Sequence, residues 1–176
     1  NRAYDVPLMA LGMTVVGRMS LFDDNREALS KYSGVQTVLS ILQDYINSAD
    51  VVQWGAYSLL NMVQPECTRA RENITGVASF SGLRTLLTAM SRLPHERHLV
   101  RWGALAVGHI VEDNKTNFDL AVEANACTVV FDAMKLHGTA DEFVAFGVVF
   151  ALAKLVQHDA FFAATDYFAR AGVVPL

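Results

Sequence analysis

The chain has 176 residues, 52% of them hydrophobic and 18% charged, with a net charge of −4. That apolar share excludes general disorder, and the acidic balance excludes the basic footprint of a nucleic-acid binder. No apolar run is long enough to span a membrane.

The first patterned stretch is LMALGMTVVGRMS, residues 8–20, whose apolar spacing predicts a helix. The residues before it, NRAYDVP, carry neither an initiator Met nor the apolar core of a signal peptide, as expected of an internal fragment or a trimmed chain. Asp23-Asp24-Asn25 opens like a calcium loop whose other ligands are missing, so it is expected to cap the short helix NREALSKYS. After Gly34, Val35, Val38, Leu39, Ile41, Leu42, Tyr45 and Ile46 fall at helical spacing on one wide apolar face. Asn47-Ser48-Ala49-Asp50 is loop chemistry. A longer helix carries VVQWGAYSLLNMV, residues 51–63, with Val52, Ala56, Leu59, Leu60 and Val63 on one side.

The order then starts again. ENITGVASFS predicts a short helix, Leu83, Leu86, Leu87, Met90 and Leu93 a middle helix after Gly82, and LVRWGALAVGHIV, residues 99–111, a long one. It recurs as FDLAVEANA, then Val129, Val130, Phe131, Met134 and Leu136 after Ala126, then FVAFGVVFALAKLV at 143–156. FFAATDYFARA and GVVPL begin a further copy. Gly12, Gly55, Gly103 and Gly147 each follow a large apolar residue, at separations of 43, 48 and 44. Gly34, Gly82, Ala126 and Gly172 form a second marker, at 48, 44 and 46. Two markers with one drifting period predict stacked helical units rather than a plain bundle. The glycine of each long helix is expected to admit a helix of the neighbouring unit. Trp54 and Trp102 read as large core residues.

The segment NREALSKYSGVQTVLSILQ, followed by VVQWGAYSLLNMV, resembles an armadillo unit. It has a short first helix, a glycine, a leucine-rich second helix and a third helix ending in Leu-Leu-Asn-Met. The resemblance covers essentially the whole chain. It implies an all-α fold, a right-handed α-solenoid of armadillo-like three-helix repeats, as a single array over 1–176. The array divides into a partial repeat 1–22, repeats 23–68, 69–113 and 114–157, and a partial repeat 158–176. It also implies a concave surface lined by third helices. When GRMS, LNMV, GHIV and AKLV are aligned, one polar position recurs: Arg18, Asn61, His109 and Lys154. In peptide-carrying members of the family an asparagine there pairs with the backbone of an extended peptide, and only Asn61 matches. Gln53, Tyr57 and Arg101, with Leu105 and Phe150, lie one and two turns earlier on the same stripe. This mixture suits partner recognition, and an ordinary solvated helix face is the equal alternative.

The function expected is therefore a non-catalytic scaffold or adaptor. It would be intracellular and cytoplasmic, with a protein or peptide partner, no nucleic-acid partner, no cofactor and no metal. The alternatives are an assembly element, or a regulatory module of an enzyme that lies outside this stretch. The assembly element would self-associate through end faces carrying Phe161, Phe162, Tyr167 and Phe168, or Leu8, Met9 and Met13. His95-Glu96-Arg97-His98 is not the zinc-binding HExxH phrase and reads as solvated loop. His109 with Glu112 and Asp113 is a weak metal pattern. Cys67 and Cys127 have no motif spacing and read as buried free thiols of a reducing cell. The sequons Asn73-Ile74-Thr75 and Asn114-Lys115-Thr116 read as chance.

Overall fold

A computed structural model describes residues 6–158. Among the described residues the chain forms ten helices and no strand. In chain order they are α1 (Val6–Met19), α2 (Asp23–Lys31), α3 (Gly34–Asp44), α4 (Ala49–Val63), α5 (Ala70–Ser79), α6 (Gly82–Arg92), α7 (Arg97–Val111), α8 (Lys115–Glu123), α9 (Ala126–His137) and α10 (Glu142–His158). The order short, middle, long occurs three times after α1. Of the further copy expected over 158–176, residues 159–176, with Phe161, Phe162, Tyr167, Phe168 and Gly172, lie outside the described residues.

The long helices form a row: α1 packs on α4, α4 on α7 and α7 on α10. Each middle helix packs against the long helix that follows it and against the short and middle helices of the next unit. Thus α3 contacts α4, α5 and α6, and α6 contacts α7, α8 and α9. One continuous core results. Leu42, Leu59, Leu86, Leu99 and Ile110 are each fully buried in it, and each such burial is worth about 1.5–3 kcal/mol. Val52, Ala56, Leu59, Leu60 and Val63, the apolar side of α4, are all buried.

Several local expectations are corrected. Helix α2 begins at Asp23, two residues early, and Phe22 at its N-cap supplies no side-chain bond. Asp23 and Asp24 therefore sit inside the first turn, where their charge favours the helix dipole. The left-handed residues before the middle helices are Ser33, Ser81 and Asn125, with φ of 60°, 55° and 62°. Gly34 and Gly82, which follow two of them, serve close approach. A Cβ on Gly34 would lie 2.6 Å from the Leu29 carbonyl oxygen, and one on Gly82 would lie 2.5 Å from Val77 Cγ1.

The glycines of the long helices are not equivalent. Those at 55 and 103 face Leu42 and Met90, in the middle helix of their own unit. Gly147 faces the backbone of Arg101 in the neighbouring long helix, and Gly12 faces open space. Of the end-face residues, Leu8 is exposed, Met9 half-buried and Met13 buried. Both cysteines are buried and free.

A third marker of the repeat is polar. Asn73 in α5 donates to the Met62 carbonyl near the end of α4 (2.8 Å), and Asn117 in α8 donates to the Ile110 carbonyl near the end of α7 (2.9 Å). Arg26 in α2 does the same at the end of α1, donating to the carbonyls of Ser20 and Leu21 at 3.2 and 3.1 Å. All three side chains are buried. Asn73 and Asn117 satisfy carbonyls that a helix C-terminus leaves without intrahelical partners, Arg26 satisfies those of the turn just past α1, and each ties one unit to the next.

Candidate functional site

The long helices bring one face of α1, α4, α7 and α10 side by side, and two clusters form there. The first is aromatic. Trp54 and Tyr57 stand one turn apart on α4, as do His98 and Trp102 on α7, so all four project from the same side of adjacent helices. Tyr57 meets Trp102 with ring centroids 4.5 Å apart, and Trp54 meets Tyr57 edge-on at 5.8 Å. His98 stacks on Trp102 at 4.9 Å. The exposed guanidinium of Arg18 lies 6.0 Å from the Trp54 ring, within cation–π range. Trp54, Tyr57 and Trp102 are half-buried. With Arg18, Leu21 and Phe22 they line an open concavity of about 500 Å³.

The second cluster lies toward the other end of the long helices. His109 meets Phe150 at 4.8 Å, and the Lys154 ammonium lies 5.5 Å from the same ring. Lys154 also pairs with Glu112, which stands 3.5 Å from His109 Nδ1. Burial lowers the His109 pKa, and this outweighs the raising effect of the Glu112 carboxylate. The Lys154 ammonium, as hydrogen-bond donor, holds the Glu112 carboxyl below its ordinary range. His109 and Glu112 also border a polar recess of about 480 Å³ shared with Arg71 and Asn114. Among the described residues no three His, Cys, Asp or Glu side chains converge as a metal site requires.

The nine residues expected at this surface separate. Arg18 and Tyr57 join the aromatic cluster. His109, Phe150 and Lys154 join the second. Arg101 stands beside the first, its guanidinium 4.7 Å from the Phe143 ring. Leu105 is half-buried and packs against the core where α10 crosses at Gly147. Gln53 donates to Asp50 Oδ1 at 3.3 Å, within its own helix. Asn61 is a correction. It is 5% exposed and donates to Ser20 Oγ at 3.0 Å, inside the α1–α4 contact. It cannot present an amide to a partner because the two helices close over it.

Trp54 and Trp102 pack against the core but stay half-exposed, and His98, expected in a solvated loop, is exposed in the first turn of α7 while stacking on Trp102. The available signal was spacing, with Trp54 and Tyr57 at i, i+3 and His98 and Trp102 at i, i+4. What the site offers chemically is an open concavity walled by mutually inclined aromatic rings, with a cation at its edge. Among the described residues Arg18 has no carboxylate partner. The arrangement can bury an apolar or aromatic side chain and accept a carboxylate or carbonyl beside it.

Fold and site together define an all-helical protein of repeated helical units. No family model, curated protein or solved structure matches the chain. Among the described residues no helix is long and apolar enough to cross a membrane.

Proposed function

We propose that this chain is a right-handed α-solenoid of armadillo-like units that acts as a non-catalytic scaffold. Its third-helix surface binds a partner protein or peptide. The observation that carries this reading is the half-exposed row Trp54–Tyr57–Trp102–His98 with Arg18 beside it. Trp, Tyr and Arg dominate binding energy at protein interfaces: the two aromatics cover a large area while losing few rotamers, and the planar guanidinium donates several hydrogen bonds in a fixed geometry. An indole row left half-wet costs hydrophobic free energy that a bound side chain would recover. Two free, buried thiols fit an intracellular, cytoplasmic setting.

The test is affinity capture with the 176-residue chain, compared with Arg18→Glu, Arg101→Glu, Tyr57→Ala and Trp102→Ala. Circular dichroism melts confirm that each variant folds. Arg84→Glu, on the exposed side of α6, is the control. A partner lost with Arg18→Glu and Trp102→Ala but kept by the control supports the assignment. A partner held equally by all variants overturns it.

A further inference from the structure

The aromatic concavity does not lie at an end of the row of helices. Helix α4 has α1 on one side and α7 on the other, and α7 has α4 and α10. The face carrying Trp54, Tyr57, His98 and Trp102 is thus open although both of its helices already have a long helix on either side.

Its charge runs against that of the whole chain. The four long helices carry Arg18, Arg97, Arg101 and Lys154 against two carboxylates, Asp50 and Glu142, each in a first turn. The chain as a whole has a net charge of −4. Two of the cations are neutralised internally, Arg97 by Asp141 and Lys154 by Glu112. Asp50 accepts from Gln53. Among the described residues Arg18 and Arg101 have no carboxylate partner, and these two bracket the aromatics. Arg18, exposed on α1, stands beside Trp54, and Arg101 of α7 stands over Phe143 of α10. Arg101 borders a recess of about 200 Å³ with His98, and its Nε is buried without an acceptor. Such burial costs free energy, which a carboxylate seated against the guanidinium offsets. Two helix spacings separate α1 from α7, roughly 16–20 Å, the reach of about five or six residues of extended chain.

We propose that the partner of this surface is an acidic peptide segment in extended conformation. One carboxylate meets Arg18 and a second, about five or six residues along, meets Arg101. An aromatic or aliphatic side chain between them enters the concavity. Charge complementarity carries this assignment: the two guanidinium groups that the chain leaves without a carboxylate stand on either side of its half-exposed indoles. It rests on the partner-binding reading of the third-helix surface and adds the chemistry of the partner.

The two tryptophans of the chain give two indole N–H signals that report on the concavity directly. The probe is a synthetic serine-glycine peptide with one phenylalanine midway between two aspartates six residues apart. It is titrated into the full chain to millimolar concentration at 50 mM salt and followed by nitrogen-15 NMR. Both indole signals should shift saturably. Asparagine in place of both aspartates should weaken binding at least tenfold. Arg18→Gln and Arg101→Gln should each weaken it at least threefold, with Arg84→Gln as the control and melts confirming the fold. Raising salt to 500 mM should weaken the acidic probe and leave the asparagine probe unchanged, a comparison that needs no variant. An acidic probe that binds no better than its asparagine counterpart, or whose binding survives both arginine changes, overturns the assignment and leaves the scaffold reading standing. That reading falls instead if a captured partner is indifferent to Arg18→Glu and Trp102→Ala. The assignment is also overturned by a thymidine oligonucleotide that shifts the indoles at lower concentration than the peptide does, or by indole signals that move with protein concentration alone.

Discussion

The indole of Trp54 lies against that of Trp102, with ring centroids 5.9 Å apart and planes tilted by 39°. Forty-eight residues separate them, yet one step along the row of long helices brings them together. Tyr57 closes the group at 4.5 Å from Trp102, so its residues are energetically coupled. A double-mutant cycle with Tyr57→Leu and Trp102→Leu, measured by urea unfolding, should return a coupling of about 0.5–1.5 kcal/mol. A value near zero would show that the rings are not held together in solution.

The glycines of the long helices should respond in opposite directions. A Cβ on Gly55 would stand 2.5 Å from Leu42 Cδ2 and 2.9 Å from its Cγ, at a fully buried leucine. Gly55→Ala should therefore destabilise by about 1–3 kcal/mol. Gly103 faces Met90 Sδ at 2.8 Å, and an unbranched thioether can yield, so its cost should be smaller. Gly12 has open space around it, and Gly12→Ala should stabilise by about 0.5–1 kcal/mol through helix propensity alone. Chemical denaturation of the three variants checks the order.

Removing an amide that bridges two units should cost more than its exposed neighbours do. Asn73→Ala and Asn117→Ala each leave a buried carbonyl without its donor, at Met62 and Ile110. Each should lose about 1–3 kcal/mol. The sequon at Asn73 is closed to modification because its amide is buried and bonded. Asn114 is the N-cap of α8, where it accepts from the Asn117 backbone N–H. Mass spectrometry of secreted expression should find Asn73 unglycosylated.

Acid should destabilise the protein before its carboxylates titrate. Burial holds the His109 pKa below its ordinary 6.5. Below pH 6.5 the unfolded chain therefore binds the proton that the folded one refuses, and stability falls as pH drops toward the folded pKa. The Glu112 carboxyl, lowered by Lys154, acts in the same direction at more acidic pH. Its contribution is present above 4.5 and is lost as pH falls through its folded value. Urea midpoints at pH 7.5 and pH 5.5 should differ for the parent chain. The difference should shrink for His109→Gln, and an unchanged difference would assign it to other groups.

The repeat was legible because it rests on packing chemistry that recurs in local order. Short, middle and long helices each show their apolar face in a few residues, and Gly34 and Gly82 mark where a middle helix must start close to its neighbour. The bridging side chains were not legible, since Arg26, Asn73 and Asn117 look like surface residues until the carbonyls they bond are in place. Asn61 misled in the opposite way. Its amide suits a partner's backbone, but the α1–α4 contact encloses it and Ser20 Oγ takes the bond.

Periodicity along the chain determined which segments are helical and that they recur, because one turn of helix is set by residues three and four apart. Which side of each long helix meets its neighbour, and which meets water, was decided only when the helices packed. Trp54 and Asn61 lie seven residues apart, on one side of α4, so spacing alone cannot separate their fates. Where α1 crosses that side decides them: the crossing encloses the Asn61 amide against Ser20 Oγ and leaves the Trp54 indole half-buried.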